Sequence, residues 1–152
     1  MRGSIGGLVL AVVLVAADAG IAAEEGGTAE EARAMLERAV AAIEADEAAA
    51  LAAFTAGAAG FRDRDLYVAC NSAADGTVTA HGADPTMVGR RIYDLTDAAG
   101  KRFGEEIDAV AVEGEFNVVE YVWPRPGETE PVPKVTYVTK VNEQVCVVGY
   151  YR

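Results

Sequence analysis

The spacing of apolar residues changes at Gly60, and this change limits the possible folds more than any other feature of the chain. Over residues 29–56 the apolar residues recur at helical spacing. Thr28 and Glu31 form a capping-box pattern at the start of this segment, and Gly57 and Gly60 follow its end. The sequence therefore predicts one long helix over residues 29–56.

Beyond Gly60, short runs that favour strands alternate with turn signals. Two predicted strands, residues 65–71 and 77–81, flank an Asp75-Gly76 hairpin turn. Three more are predicted at residues 116–123, 134–141 and 145–151. A helical insert separates the two groups, with a loop at 82–89, a helical turn at 90–95 and a helix at 98–112 capped by Asp97. This order predicts an α+β domain with one antiparallel sheet.

Alternation within a strand assigns side chains to its two faces. In the first strand, Tyr67 and Ala69 share one face, and Leu66, Val68 and Cys70 share the other. The same rule places Tyr121 and Trp123 together in the third strand.

The amino terminus has the pattern of a signal peptide. Arg2 precedes an uninterrupted run of apolar residues and glycine over 5–17, and Ala17-Asp18-Ala19 is a small-x-small cleavage pattern. The predicted signal peptide is residues 1–19, or up to residue 23 if cleavage follows Ala23. The run is shorter than the ~20 residues of a membrane span, although an uncleaved anchor in the inner membrane is the alternative. We expect a periplasmic or secreted protein with no further span and one domain over residues 28–152.

Charge and cysteine content narrow the classes of partner and site. The chain has 13 Lys and Arg against 24 Asp and Glu, a net charge of -11, which argues against a nucleic-acid partner because phosphates attract basic clusters. Cys70 and Cys146, with a single histidine, cannot complete a structural zinc site. In an oxidising compartment the two cysteines favour a disulfide; two buried, reduced thiols are the alternative.

Aromatic and cationic side chains indicate a small-molecule pocket. The aromatic residues of the predicted strands are Tyr67, Phe116, Tyr121, Trp123, Tyr137, Tyr150 and Tyr151, and the cationic residues and histidine near strand ends are His81, Arg90, Arg91 and Lys134. Cations beside aromatic hydroxyls suit a small anion, above all a carboxylate. The chain offers no recognisable set of acid, base and nucleophile, so we predict no enzyme, no metal and no cofactor.

Several blocks of the sequence resemble the bacterial single Cache domain, an extracytoplasmic sensor family. They are residues 61–68, 76–82, 88–91 (Val88-Gly89-Arg90-Arg91), 94–101, 120–124 (Glu120-Tyr121-Val122-Trp123-Pro124), 133–138 and 149–152. The blocks occur in the family's order and cover about residues 32–152. At Phe116-Asn117 the chain departs from the Gly-Trp that members often carry before the fourth strand.

The resemblance implies a PAS-like five-stranded antiparallel sheet, with a long N-terminal helix and a helical insert between strands two and three. It implies a pocket between insert and sheet for a short organic acid, lined by Tyr67, His81, Arg90, Tyr93, Trp123, Lys134 and Tyr137. It also makes the first and last strands neighbours, which would let Cys70 meet Cys146. The implied function is ligand sensing in signal transduction, as in chemotaxis, through a separate membrane signalling partner. The alternative is a structural or protein-interaction module with a vestigial pocket.

Overall fold

The computed structural model describes Gly3 and residues 25–152, and its first elements are two consecutive helices. They are α1 (Ala29–Ala45) and α2 (Glu47–Thr55). The capping box is present, with the Thr28 hydroxyl accepting from the Glu31 N–H and the Glu31 carboxylate accepting from the Thr28 N–H. The prediction of one unbroken helix is wrong at Asp46, whose backbone is extended (φ -162°, ψ 98°) and whose carboxylate caps α2 by accepting from the Ala49 N–H. An aspartate competes with the helix in this way because its side chain can bond nearby backbone amides.

The strands form one antiparallel sheet. They are β1 (Arg62–Asp63), β2 (Leu66–Ser72), β3 (Val78–His81), β4 (Asn117–Pro124), β5 (Pro131–Val141) and β6 (Gln144–Tyr151). The order is β1-β2-β6-β5-β4, with β3 also paired to β2. The α+β fold class and its five long strands are confirmed, and the two-residue β1 is an addition. The connection between the predicted strands at 116–123 and 134–141 is shorter than expected, because β4 and β5 continue their pairing as far as Pro124 and Pro131.

Each face of the sheet carries its own layer. Helices α1 and α2 cover one face, where Leu66, Val68 and Cys70 of β2 join the core. The helical insert covers the other face, and Tyr67 and Ala69 point to that side, where they line a cavity. The alternation predicted for β2 is therefore confirmed.

The insert contains less helix than the sequence predicts. Two short 3-10 turns, Pro85–Met87 and Ile92–Asp94, precede α3 (Phe103–Val110). The predicted helix at 98–112 starts later because the Asp97 carboxylate does not cap a helix at residue 98. It accepts instead from the backbone N–H groups of Ala99 and Lys101 and, from β4, that of Val122. Asp97 thus fastens the insert to the edge of the sheet.

The disulfide between Cys70 and Cys146 is present. The two residues lie opposite each other on the neighbouring strands β2 and β6, with their Cα atoms 4.1 Å apart. The predicted pairing is confirmed, and the alternative of two reduced thiols is wrong for this structure.

The predicted signal peptide, apart from Gly3, lies outside the described residues. Among the described residues, no helix is both long and apolar enough to cross a membrane.

Candidate functional site

A small cavity of about 60 Å³ lies between the insert and the sheet. Strands β2, β3, β4, β5 and β6 supply one side of its wall, and the 3-10 turns and α3 supply the other. Its lining residues are Tyr67, Ala69, Cys70, Asn71, Val78, His81, Met87, Ile92, Leu95, Phe103, Ile107, Tyr121, Trp123, Lys134 and Val147. Most of these are apolar. Tyr67, His81 and Lys134 lie close together and form the polar end of the cavity.

Lys134 is the cation at this polar end. Its side chain is buried, with the residue 4% exposed, and its Nζ donates to the Tyr67 hydroxyl at 2.8 Å. The Nζ also lies 4.4 Å from the ring centroid of Tyr67 and 5.0 Å from that of Tyr151. No ion pair among residues 25–152 includes Lys134. Burial lowers the pKa of this ammonium, against the smaller opposing effects of Tyr121 and the Asp65 carboxylate.

His81 adds a second donor beside Tyr67, with the two rings 5.0 Å apart. Its Nδ1 accepts from the Asp84 N–H at 2.9 Å, so the neutral ring carries its proton on Nε2. Burial, followed by the charge of Lys134, lowers the pKa of His81 to about 4. Burial also raises the pKa of the Tyr67 phenol to about 12. At neutral pH both groups are therefore uncharged, and Tyr67 and His81 offer hydrogen bonds rather than charge.

An open cleft of about 490 Å³ adjoins the cavity and shares Tyr67, His81 and Trp123 with it. The β4–β5 loop, including Arg125 and Glu128, forms its outer wall. The shared residues make this cleft the natural access route for a ligand, because they line both the solvent-facing space and the polar end of the cavity.

The structure brings four of the seven candidate site residues together. Tyr67, His81, Trp123 and Lys134 line the cavity. The other three lie elsewhere. Arg90 is exposed and donates to the sulfur of Met87. Tyr93 donates to Asp108 at 2.8 Å, and Tyr137 packs in the core on the α1 side of the sheet.

Three polar or aromatic residues of the cavity wall, Tyr121, Asn71 and Phe103, were not among the candidates from the sequence. Tyr121 shares the cavity face of β4 with Trp123, as alternation predicted, but was not selected. Asn71 lies at a β-bulge between Cys70 and Asn71, which the strand pattern does not signal. Phe103 belongs to the predicted apolar face of its helix, yet helical spacing alone does not show which surface that face covers.

The buried histidine predicts a specific dependence of stability on pH. His81 is the chain's single histidine, and its folded pKa of about 4 lies below the ordinary value of 6.5. As the pH falls below 6.5, His81 becomes protonated in the unfolded chain but stays neutral in the folded protein. The free energy of unfolding therefore decreases between pH 6.5 and 4. We expect this group to account for a loss of about 3 kcal/mol across that window.

Urea unfolding of the wild type and of His81→Gln, measured from pH 7.5 to 4, tests this expectation. Acidic groups such as Asp84 and Asp97, whose pKa values are lowered, add an acid-dependent loss that both proteins share. The difference between the two curves therefore reports His81 alone. Parallel curves would show that His81 titrates normally.

The geometry and the comparisons with known proteins agree on the class of protein. A sheet with helices on one face and an insert enclosing a cavity on the other is the architecture of a PAS-like sensor domain. A family model described as single Cache domain 2 matches residues 22–151. The chain belongs to the single Cache domain family.

Solved structures of chemotaxis sensor domains share this fold. A methyl-accepting chemotaxis protein from Vibrio parahaemolyticus is 22% identical with a TM-score of 0.67, and the match covers 80% of this chain and 86% of that one. A periplasmic sensor domain of a chemotaxis protein is 27% identical (TM-score 0.59; 80% and 88% covered). A Cache chemosensory domain, studied for carboxylic acid recognition, is 22% identical (TM-score 0.59; 77% and 83% covered). A search of curated proteins gave no match.

Proposed function

We propose that this protein is an extracytoplasmic sensor module that binds a short monocarboxylate in its cavity and signals through a separate partner. The observation that carries the proposal is the buried ammonium of Lys134, which faces the cavity and has no carboxylate partner within the described residues. Burying an unpaired charge is costly. An anionic ligand would offset that cost, because it supplies the missing opposite charge.

The composition of the cavity wall supports a monocarboxylate over other anions. One cation faces the cavity, and the Tyr67 hydroxyl and His81 Nε2 lie at the same end. Two charge-neutral donors and one ammonium match the acceptor capacity of one carboxylate. The lining contains no Asp or Glu that would pair with the ammonium of an amino acid. The carboxylic acid recognition studied in a Cache relative supports the same ligand class.

The position of the ammonium also supports a signalling role. Lys134 lies on β5, which pairs along its length with β6. The opposite face of these strands carries α1, so a ligand that draws Lys134 toward itself acts on the strands against which α1 packs. Movement of the sheet relative to α1 is the change that we propose a partner reads. The predicted signal segment and the periplasmic relative support an extracytoplasmic location.

A thermal-shift screen tests this function. The purified protein is heated with straight-chain acids from formate to hexanoate, with the matching primary amides as uncharged controls, and with amino acids. A bound ligand at 100 times its Kd stabilises the folded state by about 2.7 kcal/mol. We expect short acids to raise the Tm and the amides and amino acids to leave it unchanged. No shift with any acid at millimolar concentration would favour the alternative of an interaction module with a vestigial pocket.

A further inference from the structure

We propose that Phe103 determines specificity by setting the longest carbon chain that the cavity accepts. This inference rests on the proposed acid site, because it concerns the apolar part of the same cavity. The apolar part of the wall includes Phe103, Ile107, Leu95, Ile92 and Met87, which pack in one core cluster that contains neither Tyr67, His81 nor Lys134. None of the five lines the outer cleft. A ligand whose carboxylate meets Lys134 at the polar end would extend its carbon chain toward these side chains.

Phe103 belongs to an aromatic stack in this apolar part. Its ring lies parallel to that of Tyr121, with centroids 4.2 Å apart, and edge-on to Trp123 at 5.2 Å. The Nζ of Lys134 lies 6.0 Å from the same Tyr121 ring. Tyr121 thus neighbours both Phe103 and the Lys134 ammonium, so Phe103 lies close enough to the polar groups to limit the length of a ligand bound there.

The backbone beside Phe103 prevents the ring from retreating. The next residue, Gly104, packs so closely against the second 3-10 turn that a Cβ at this position would collide with the Ile92 carbonyl oxygen. The start of α3 is thus pressed against the Ile92–Asp94 turn. Phe103 itself is buried at 5% exposure. A longer ligand cannot push α3 outward without breaking this contact.

The size of the cavity agrees with a short limit on the length of the ligand's carbon chain. Its volume is about 60 Å³. A space of this size suits a small ligand, and a longer carbon chain must press against the apolar wall residues. Where a methylene is accommodated instead, its burial is worth about a fourfold gain in affinity.

The test is to titrate the acid series from acetate to hexanoate calorimetrically against wild type, Phe103→Leu and Phe103→Met. Both replacements keep an apolar side chain at the start of α3 and remove the rigid ring. Phe54→Leu is the matched control, because Phe54 is fully buried in the core on the other face of the sheet, outside the cavity. Circular dichroism and unfolding curves establish that each variant is folded.

We expect wild type and Phe54→Leu to share one preferred chain length, with affinity falling for longer acids. The Phe103 variants should prefer acids at least one carbon longer, with affinity for these rising about fourfold per added methylene. If wild type binds short acids and both folded Phe103 variants keep its rank order, the inference about Phe103 is wrong and the proposed function stands. If wild type binds none of the acids, the proposed function itself is overturned.

Discussion

Replacing both cysteines with alanine should lower the free energy of unfolding by about 4 kcal/mol, because the disulfide reduces the conformational entropy of the unfolded chain. The disulfide links residues 76 positions apart, so it restricts a large part of the unfolded chain. It also joins the neighbouring interior strands β2 and β6 at a point where both cysteines are buried. For a domain with a typical total stability of roughly 5–15 kcal/mol, such a loss is severe.

Urea unfolding of oxidised wild type and of the Cys70→Ala/Cys146→Ala variant measures this effect. Wild type reduced with a phosphine is the control for side-chain truncation, because it loses the bond and keeps both sulfurs. The free energy of unfolding of reduced wild type should be close to that of the double variant. If reduction changes the free energy of unfolding by less than 1 kcal/mol, the bond does not stabilise the fold as described.

Replacing Lys134 with methionine should move stability and ligand binding in opposite directions. Methionine fills a similar volume without a charge, so removing an unpaired buried ammonium should leave the free energy of unfolding unchanged or raise it. The same change removes the charged hydrogen-bond donor for a carboxylate, worth about 1.5–3 kcal/mol. We therefore expect acid affinity to fall by about 100-fold.

The matched control is Lys140→Met, because Lys140 lies on the same strand and does not line the cavity. It should leave acid affinity within twofold of wild type. A Lys134→Met protein that is both destabilised and unchanged in affinity would show that the lysine has a purely structural role.

Local sequence patterns predicted the parts of this molecule that local physics determines. The capping box at Thr28 and the alternation in β2 depend on neighbouring residues, and both are present in the structure. The break at Asp46 was missed because the surrounding alanines and glutamates favour helix, and only the side chain's capping bond shows where the helix divides. The late start of α3 depends on a contact between Asp97 and β4, 25 residues apart in the chain, which no local pattern contains.

The candidate site was predictable to the extent that it lies on strands. Lys134 and Tyr137 are three residues apart on β5, so the alternation of side chains along a strand places them on opposite faces. This rule alone shows that Tyr137 cannot share the cavity with Lys134. Arg90 and Tyr93 lie in the insert, whose path over the sheet is set by tertiary packing. The same packing brings Phe103 against Tyr121, so its place in the cavity wall became visible only in the folded chain.

A crystal structure of the protein with the acid that gives the largest rise in Tm tests the central claim most directly. We predict that the carboxylate lies within hydrogen-bond distance of Lys134 Nζ, with the Tyr67 hydroxyl and His81 Nε2 as its other neighbours and the carbon chain directed toward Phe103. An acid bound elsewhere, with Lys134 still donating only to Tyr67, would contradict the assignment of this cavity as the ligand site.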